Sequence, residues 1–387
     1  MRRGLALATL RLATLLLLLG GTRASQALPV PVGRVGTHLY AGIDPRHPMP
    51  ADRGGPERTG RLRGVLPSSE PRVLWDLALD GAHPHGPIVD AEGRIVVATT
   101  NGVLGLSRDG EIRFDQRLGP VDVTPALLPS GDLVVVTRDR TLSVLSVDGE
   151  VRAQVTIPAS ARAAPLVLAD GTVLIAALDR SVTLYETSLT ERFRLMLDEG
   201  SPTTPSLAPS GRVVVGAGTS IYFVDPGRGV VTSRMTMAAR AVGPAIAGSD
   251  GTLFQLLVDG TVVAFDEDGI RWQQALGGRA YEGTAMALAS DGTLRVAIPT
   301  IGVVCMGPEG TVRWTFTTDA PFYGTVAVDE EGNALAVDRR GRLTILDPSG
   351  ALRFRVELAV PVAAAAIAPG LLIVATDRPA VMAMALR

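Results

Sequence analysis

The stretch Gly260-Thr261-Val262-Val263-Ala264-Phe265-Asp266-Glu267-Asp268-Gly269-Ile270-Arg271-Trp272 holds two strands and the turn that joins them. Its first half is a run of β-branched and apolar residues, which suits a strand buried on both faces. The acidic Asp266-Glu267-Asp268 then meets Gly269, where glycine supplies the positive φ of a tight hairpin. Beyond the turn, Ile270-Arg271-Trp272 alternates apolar and polar residues, as a strand with one wet face does.

The same events recur along the chain. Each unit opens with a small or proline-containing step into a short apolar strand: Gly86-Pro87-Ile88, Thr124-Pro125-Ala126, Ala164-Pro165-Leu166, Thr204-Pro205-Ser206, Gly243-Pro244-Ala245, Gly283-Thr284-Ala285, Gly324-Thr325-Val326 and Ala364-Ala365-Ala366. The steps lie 38 to 41 residues apart, which makes eight units. One turn glycine keeps that register from Gly93 to Gly370, and a second keeps it from Gly110 to Gly350, with the third unit departing at Ser188-Leu189-Thr190. Two hairpin registers in one period require four short strands per unit. Runs such as Ile95-Val96-Val97-Ala98 predict buried inner strands, and alternating segments such as Glu111-Ile112-Arg113-Phe114 predict half-exposed outer ones.

Four-stranded sheets repeated at one period predict an all-β fold, an eight-bladed β-propeller of antiparallel blades. The eighth unit stops at Arg387 after three strands, while Arg72-Val73-Leu74-Trp75-Asp76-Leu77-Ala78-Leu79 has the outer-strand pattern with no unit before it. This N-terminal strand is expected to complete the last blade and close the ring.

The chain therefore divides into a signal peptide at 1–27, an extended Pro/Gly/Arg-rich lead-in at 28–70 and the propeller at 71–387. Arg2-Arg3, the apolar run ending in Leu15-Leu16-Leu17-Leu18-Leu19, and Ser25-Gln26-Ala27 follow the order of a cleavable export signal, with cleavage expected after Ala27. Arg11 leaves the run short of the roughly 20 apolar residues of a membrane span, so the mature chain is expected to have none. No cysteine stands at the cleavage region to take a lipid.

All 37 basic residues are arginine, the formal net charge is −2, and loss of the signal's four arginines moves it to about −6. No global field attracts nucleic acid. Cys305 is the only cysteine and reads as a buried strand thiol, so no intrachain disulfide is possible. His83-Pro84-His85 offers two imidazoles with no third ligand in view and reads as a loop pair, so no metal site is assigned.

An aromatic recurs in the outer strands at Trp75, Phe114, Phe193, Trp272, Trp314 and Phe354, broken at Ala153 and Ser233. With the pattern of residues 260–272, this resembles the pyrroloquinoline-quinone-type (PQQ-like) eight-bladed propeller repeat. Gly55-Pro56-Glu57-Arg58-Thr59-Gly60 before Val73-Leu74-Trp75 is similar to the lead-in of many such proteins, and the likeness covers about residues 47–387. The resemblance implies either a quinone enzyme, with quinone and calcium on the axis, or the non-enzymatic branch that includes the propeller of outer-membrane barrel assembly. The lone Cys305, where many of the enzymes carry an adjacent cysteine pair, and the absence of an assignable acidic cluster favour the second, with no cofactor and no catalytic residues.

In a propeller the hairpins between second and third strands share one face with the loops between blades. Here several of those hairpins carry Asp-Arg: Arg138-Asp139-Arg140, Asp179-Arg180, Asp338-Arg339-Arg340 and Asp377-Arg378. Arginine presents up to five donors in a planar fork, so these residues are the candidate partner-binding site. Aspartate also favours turns for purely local reasons. The between-blade loops add His85, Arg162, Arg240, Arg279, Tyr281, Phe322 and Tyr323. The function expected is a monomeric, periplasmic or secreted, non-catalytic scaffold for envelope proteins; the alternative is binding of a small molecule or glycan in the axial funnel.

Overall fold

The computed structural model describes residues 46–386, apart from 82–84, 282, 283, 285, 339, 359–361, 369 and 377–379, and without the side chains of 323–325 and 363. The expected export signal at 1–27 and the first part of the lead-in lie outside the described residues. The rest forms eight four-stranded antiparallel sheets in chain order. The first blade, for example, is His85–Val89, Ile95–Thr99, Gly102–Leu106 and Ile112–Arg117, from the axis outward. The eighth is Val362–Ala368, Leu371–Thr376 and Ala380–Ala385, completed by Val73–Ala78 with Trp75 opposite Ala383. Ring closure thus pairs the two ends of the repeat, as its pattern predicts.

The core is divided into eight layers, each between neighbouring blades. Leu62 and Leu66 of the lead-in join the layer of the seventh and eighth blades, where Leu335, Ile345, Ile367 and Val374 meet. The seam between the eighth and first blades is packed by Ile373, Val381 and Ala383 against Val89, Ile95 and Leu106, with Trp75 on its rim. Cys305 is 1% exposed in the third strand of the sixth blade, and burial raises the pKa of its thiol.

The spacing of aromatic and glycine has a packing cause. A Cβ on Gly110 would lie 2.7 Å from the Trp75 ring, one on Gly149 2.5 Å from Phe114, one on Gly310 2.8 Å from Trp272 and one on Gly350 2.6 Å from Trp314. Each of these rings therefore docks on the turn glycine of the next blade, and the indoles of Trp75, Trp272 and Trp314 donate to the carbonyls of Arg108, Pro308 and Pro348. Where the ring is replaced by Ala153, the next turn carries Leu189 instead of glycine, at φ 62 and 5% exposed, in the layer that Ala153 packs against. Large and small have exchanged sides, which keeps the seam filled.

The described part of the lead-in does not lie loosely outside the ring. It runs along the free edges of the inner strands, whose N–H groups need acceptors. Met49 and Val89 exchange both backbone hydrogen bonds; then the N–H groups of Leu127, Leu207, Ala247, Leu288 and Val328 donate to the carbonyls of Pro50, Pro56, Glu57, Thr59 and Gly60. Leu62 donates back to Val328, and Leu66 N–H to the Asp329 carboxylate at 2.8 Å. Residues 49–66 are an axial plug.

Candidate interaction face

The hairpins between second and third strands close by a repeated bond. Arg140 N–H donates to Thr137 O at 3.2 Å and Arg180 to Ala177 O at 3.1 Å, as Gly260 does to Leu257 O and Gly341 to Asp338 O at 3.0 Å. The donor residue is left-handed in all four, with φ 64, 73, 79 and 79 in the same order. Glycine adopts that conformation freely, whereas a residue with a Cβ is strained there. The second and third blades therefore hold arginine where the fifth and seventh hold glycine.

Both strained arginines reach the loop that leaves their own blade. Arg140 Nη1 donates to Pro158 O at 3.3 Å and Arg180 Nη1 to Asp198 O at 3.1 Å. Hairpins and between-blade loops are thus brought together, as expected of one face, and Arg138, Asp139, Arg140, Asp179 and Arg180 are all exposed. The guanidinium of Arg138 forms a two-bond fork on Asp122 at 2.6 and 2.8 Å, which raises its pKa. Asp179 accepts the N–H and hydroxyl of Ser181 at 3.0 and 2.6 Å, the turn-stabilising work that aspartate does locally.

The seventh blade departs from the expectation. Asp338 is 1% exposed and cannot meet a partner, because it accepts the N–H groups of Arg340 and Arg342 and the Nε of Arg342. Arg340 is exposed, and its Nη1 lies 2.5 Å from Asp319, which also pairs with Arg342 at 2.6 Å. Burial works against the Arg342 charge, but Asp319 and Asp338 outweigh it and raise its pKa; the bond from Arg342 in turn lowers that of Asp319. Arg339, Asp377, Arg378 and His83 lie outside the described residues, as does the side chain of Tyr323. Phe322, expected in a surface loop, is 1% exposed in the core between the sixth and seventh blades, its ring tilted against Phe316. Arg162, Arg240, Arg279 and Tyr281 are exposed, with Arg279 stacked over Tyr281 at 5.8 Å, and His85 is half-buried.

Sequence reasoning missed the acidic partners Asp122 and Asp319, which lie 16 and 21 residues from the arginines they bind and follow no repeat register. It also missed the axial arginines. Arg58 is 0% exposed, and its fork donates to Pro205 O, Asp52 O and Pro165 O at 3.0, 3.0 and 2.8 Å. Arg53 reaches Met286 O and Val326 O in the sixth and seventh blades. Burial pushes both below the ordinary arginine range, with Asp52 opposing. An axial calcium needs clustered oxygen anions. The axis here holds guanidinium groups, and no three His, Cys, Asp or Glu side chains gather among the described residues, so the calcium of a quinone site does not fit.

Comparison with known proteins agrees with this architecture. The family described as outer membrane protein assembly factor BamB matches residues 63–179 and 300–386, together more than half of the chain. Among solved structures, BamB from Moraxella catarrhalis superposes with a TM-score of 0.68 at 16% identity, over 82% of this chain and 100% of that one. Quinohemoprotein alcohol dehydrogenase from Comamonas testosteroni superposes with a TM-score of 0.70 at 12% identity, over 87% of this chain and 80% of that one. At these identities the likeness to both is one of fold. No curated protein matches the chain in sequence.

Proposed function

Because the chain belongs to the PQQ-like propeller family of the outer membrane protein assembly factor BamB, we propose that it is a non-catalytic interaction scaffold of the cell envelope. Export by the signal at 1–27 puts it in the periplasm or outside the cell, as a monomer with envelope proteins as partners. The partner-binding residues proposed are Arg138, Asp139, Arg140, Asp179, Arg180 and Arg340, with Arg339, Asp377 and Arg378 added from their place in the repeat.

The observation that carries this reading is the pair of left-handed arginines at 140 and 180. Strain of that kind costs on the order of 1 kcal/mol; buried contacts offset it at Arg58 and Leu189, whereas Arg140 and Arg180 carry it with exposed side chains. A single carbonyl occupies one corner of each fork and leaves donors facing outward. Acidic side chains or backbone carbonyls of a partner fit such groups. The axial funnel is less suited to a small molecule or glycan, because residues 49–66 bond along it.

The test is crosslinking and affinity purification from the envelope, comparing the native chain with the triple variant R140E, R180E and R339E. Loss of specific partners is expected; an unchanged partner set sinks the proposal.

A further inference from the structure

We propose that the axial plug positions the candidate interaction face, with Arg58 as the positioning residue for the loops at 157–165 and 197–205. The assignment of those loops to a partner rests on the function proposed above, whereas the coupling rests on geometry alone.

Each loop is held at both ends by an arginine. At its outer end the first is fixed by Ile157 N–H on Arg140 O at 2.8 Å and by Arg140 Nη1 on Pro158 O; at its inner end Pro165 O accepts Arg58 Nη2 at 2.8 Å. The second repeats the arrangement. Leu197 N–H donates to Arg180 O at 2.9 Å, Arg180 Nη1 to Asp198 O, and Arg58 Nε holds the inner end at Pro205 O at 3.0 Å. Ala164 N–H and Thr204 Oγ1 tie the two inner ends together at 3.2 Å.

One rigid, planar guanidinium therefore fixes the separation of two carbonyls that begin neighbouring blades. Its third contact, to Asp52 O, anchors it in the plug. The group is 0% exposed, so no water is at hand to replace a lost bond, and displacement of the plug moves both loops or breaks their inner tethers. Arg53 and Arg61 act elsewhere, on Met286, Val326 and Leu288 of the sixth and seventh blades. The effect of Arg58 is directed to the two loops that leave the second and third blades, whose hairpins carry the strained arginines.

Hydrogen–deuterium exchange on the full chain tests this, with Arg58→Ala and Arg58→Lys. Amides in 157–165 and 197–205 are expected to exchange at least about tenfold faster in Arg58→Ala, while the loops leaving the fifth and sixth blades keep their native rates. Lysine retains the charge but lacks the fork, so Arg58→Lys loosens at least one of the two loops and is the variant to read if alanine does not fold. No acceleration, or equal acceleration around the whole ring, overturns the proposal. Loosened loops with unchanged crosslinked partners leave the positioning role standing and remove the interaction reading instead.

Discussion

Arg53 and Arg58 on the axis and Arg140 and Arg180 on the hairpins share a left-handed backbone, at φ 55, 56, 64 and 73, and differ in surroundings. On the axis, Arg58 is wholly buried and every nitrogen of its fork meets a carbonyl. On the hairpins the groups are exposed, and each spends one nitrogen on a carbonyl of its own loop. The same strained conformation therefore serves the architecture in one place and leaves donors to solvent in the other. Burial decides which, because a hydrogen bond out of water is costly to leave unmade and one at the surface is replaced by water.

The largest effect that follows is on stability. Arg58→Ala strands three carbonyls and leaves a void, and is expected to cost about 3 kcal/mol in urea unfolding. Arg140→Ala is expected to stay within about 0.5 kcal/mol of native, as exposed substitutions do. Equal costs would erase the distinction between the two regions.

A second difference concerns pH. Glu57, in the plug, has its pKa raised to about 7 by burial, against the pull of Arg58, Arg63 and Arg61. Between the ordinary carboxyl pKa and that value the unfolded chain has lost the proton and the folded chain keeps it, so stability falls as pH rises through the window and is level above it. Glu57→Gln is expected to remove that slope and to be about 1–2 kcal/mol more stable than native at pH 8, with no gain at pH 4. Parallel curves for variant and native would place the carboxyl in water.

The smallest effect is the most pointed. Arg140→Gly and Arg180→Gly relieve backbone strain while loosening the unfolded chain, for a net gain of about 0 to 1 kcal/mol each by thermal unfolding. Partner crosslinking is expected to fall even as stability holds or rises. A loss of stability would mean that the arginines are structural, as Arg58 is.

The repeat was legible because its markers are local. A turn glycine at positive φ and an apolar inner strand are recognisable within a few residues, and 38 to 41 residues is short enough for eight copies to be aligned by eye. The closing strand was legible for the same reason, since Val73-Leu74-Trp75 has the outer-strand pattern without a unit before it. The hairpin arginines were visible as residues, but their left-handed backbone and their bonds to Pro158 and Asp198 were not. Asp338 looked like its neighbours in the pattern and proved buried, because Arg340 and Arg342 fold the turn around its carboxylate.

The sequence by itself determined the blade count, the strand order within a blade and the closure of the ring, all consequences of hydrophobic period and turn chemistry that act over a few residues. Only the tertiary structure decided that residues 49–66 fill the axis and that Arg58 joins Pro165 to Pro205, 107 and 147 residues away. Those contacts are made to backbone carbonyls and N–H groups, which every residue carries and which leave no mark in a sequence until the ring has brought them together.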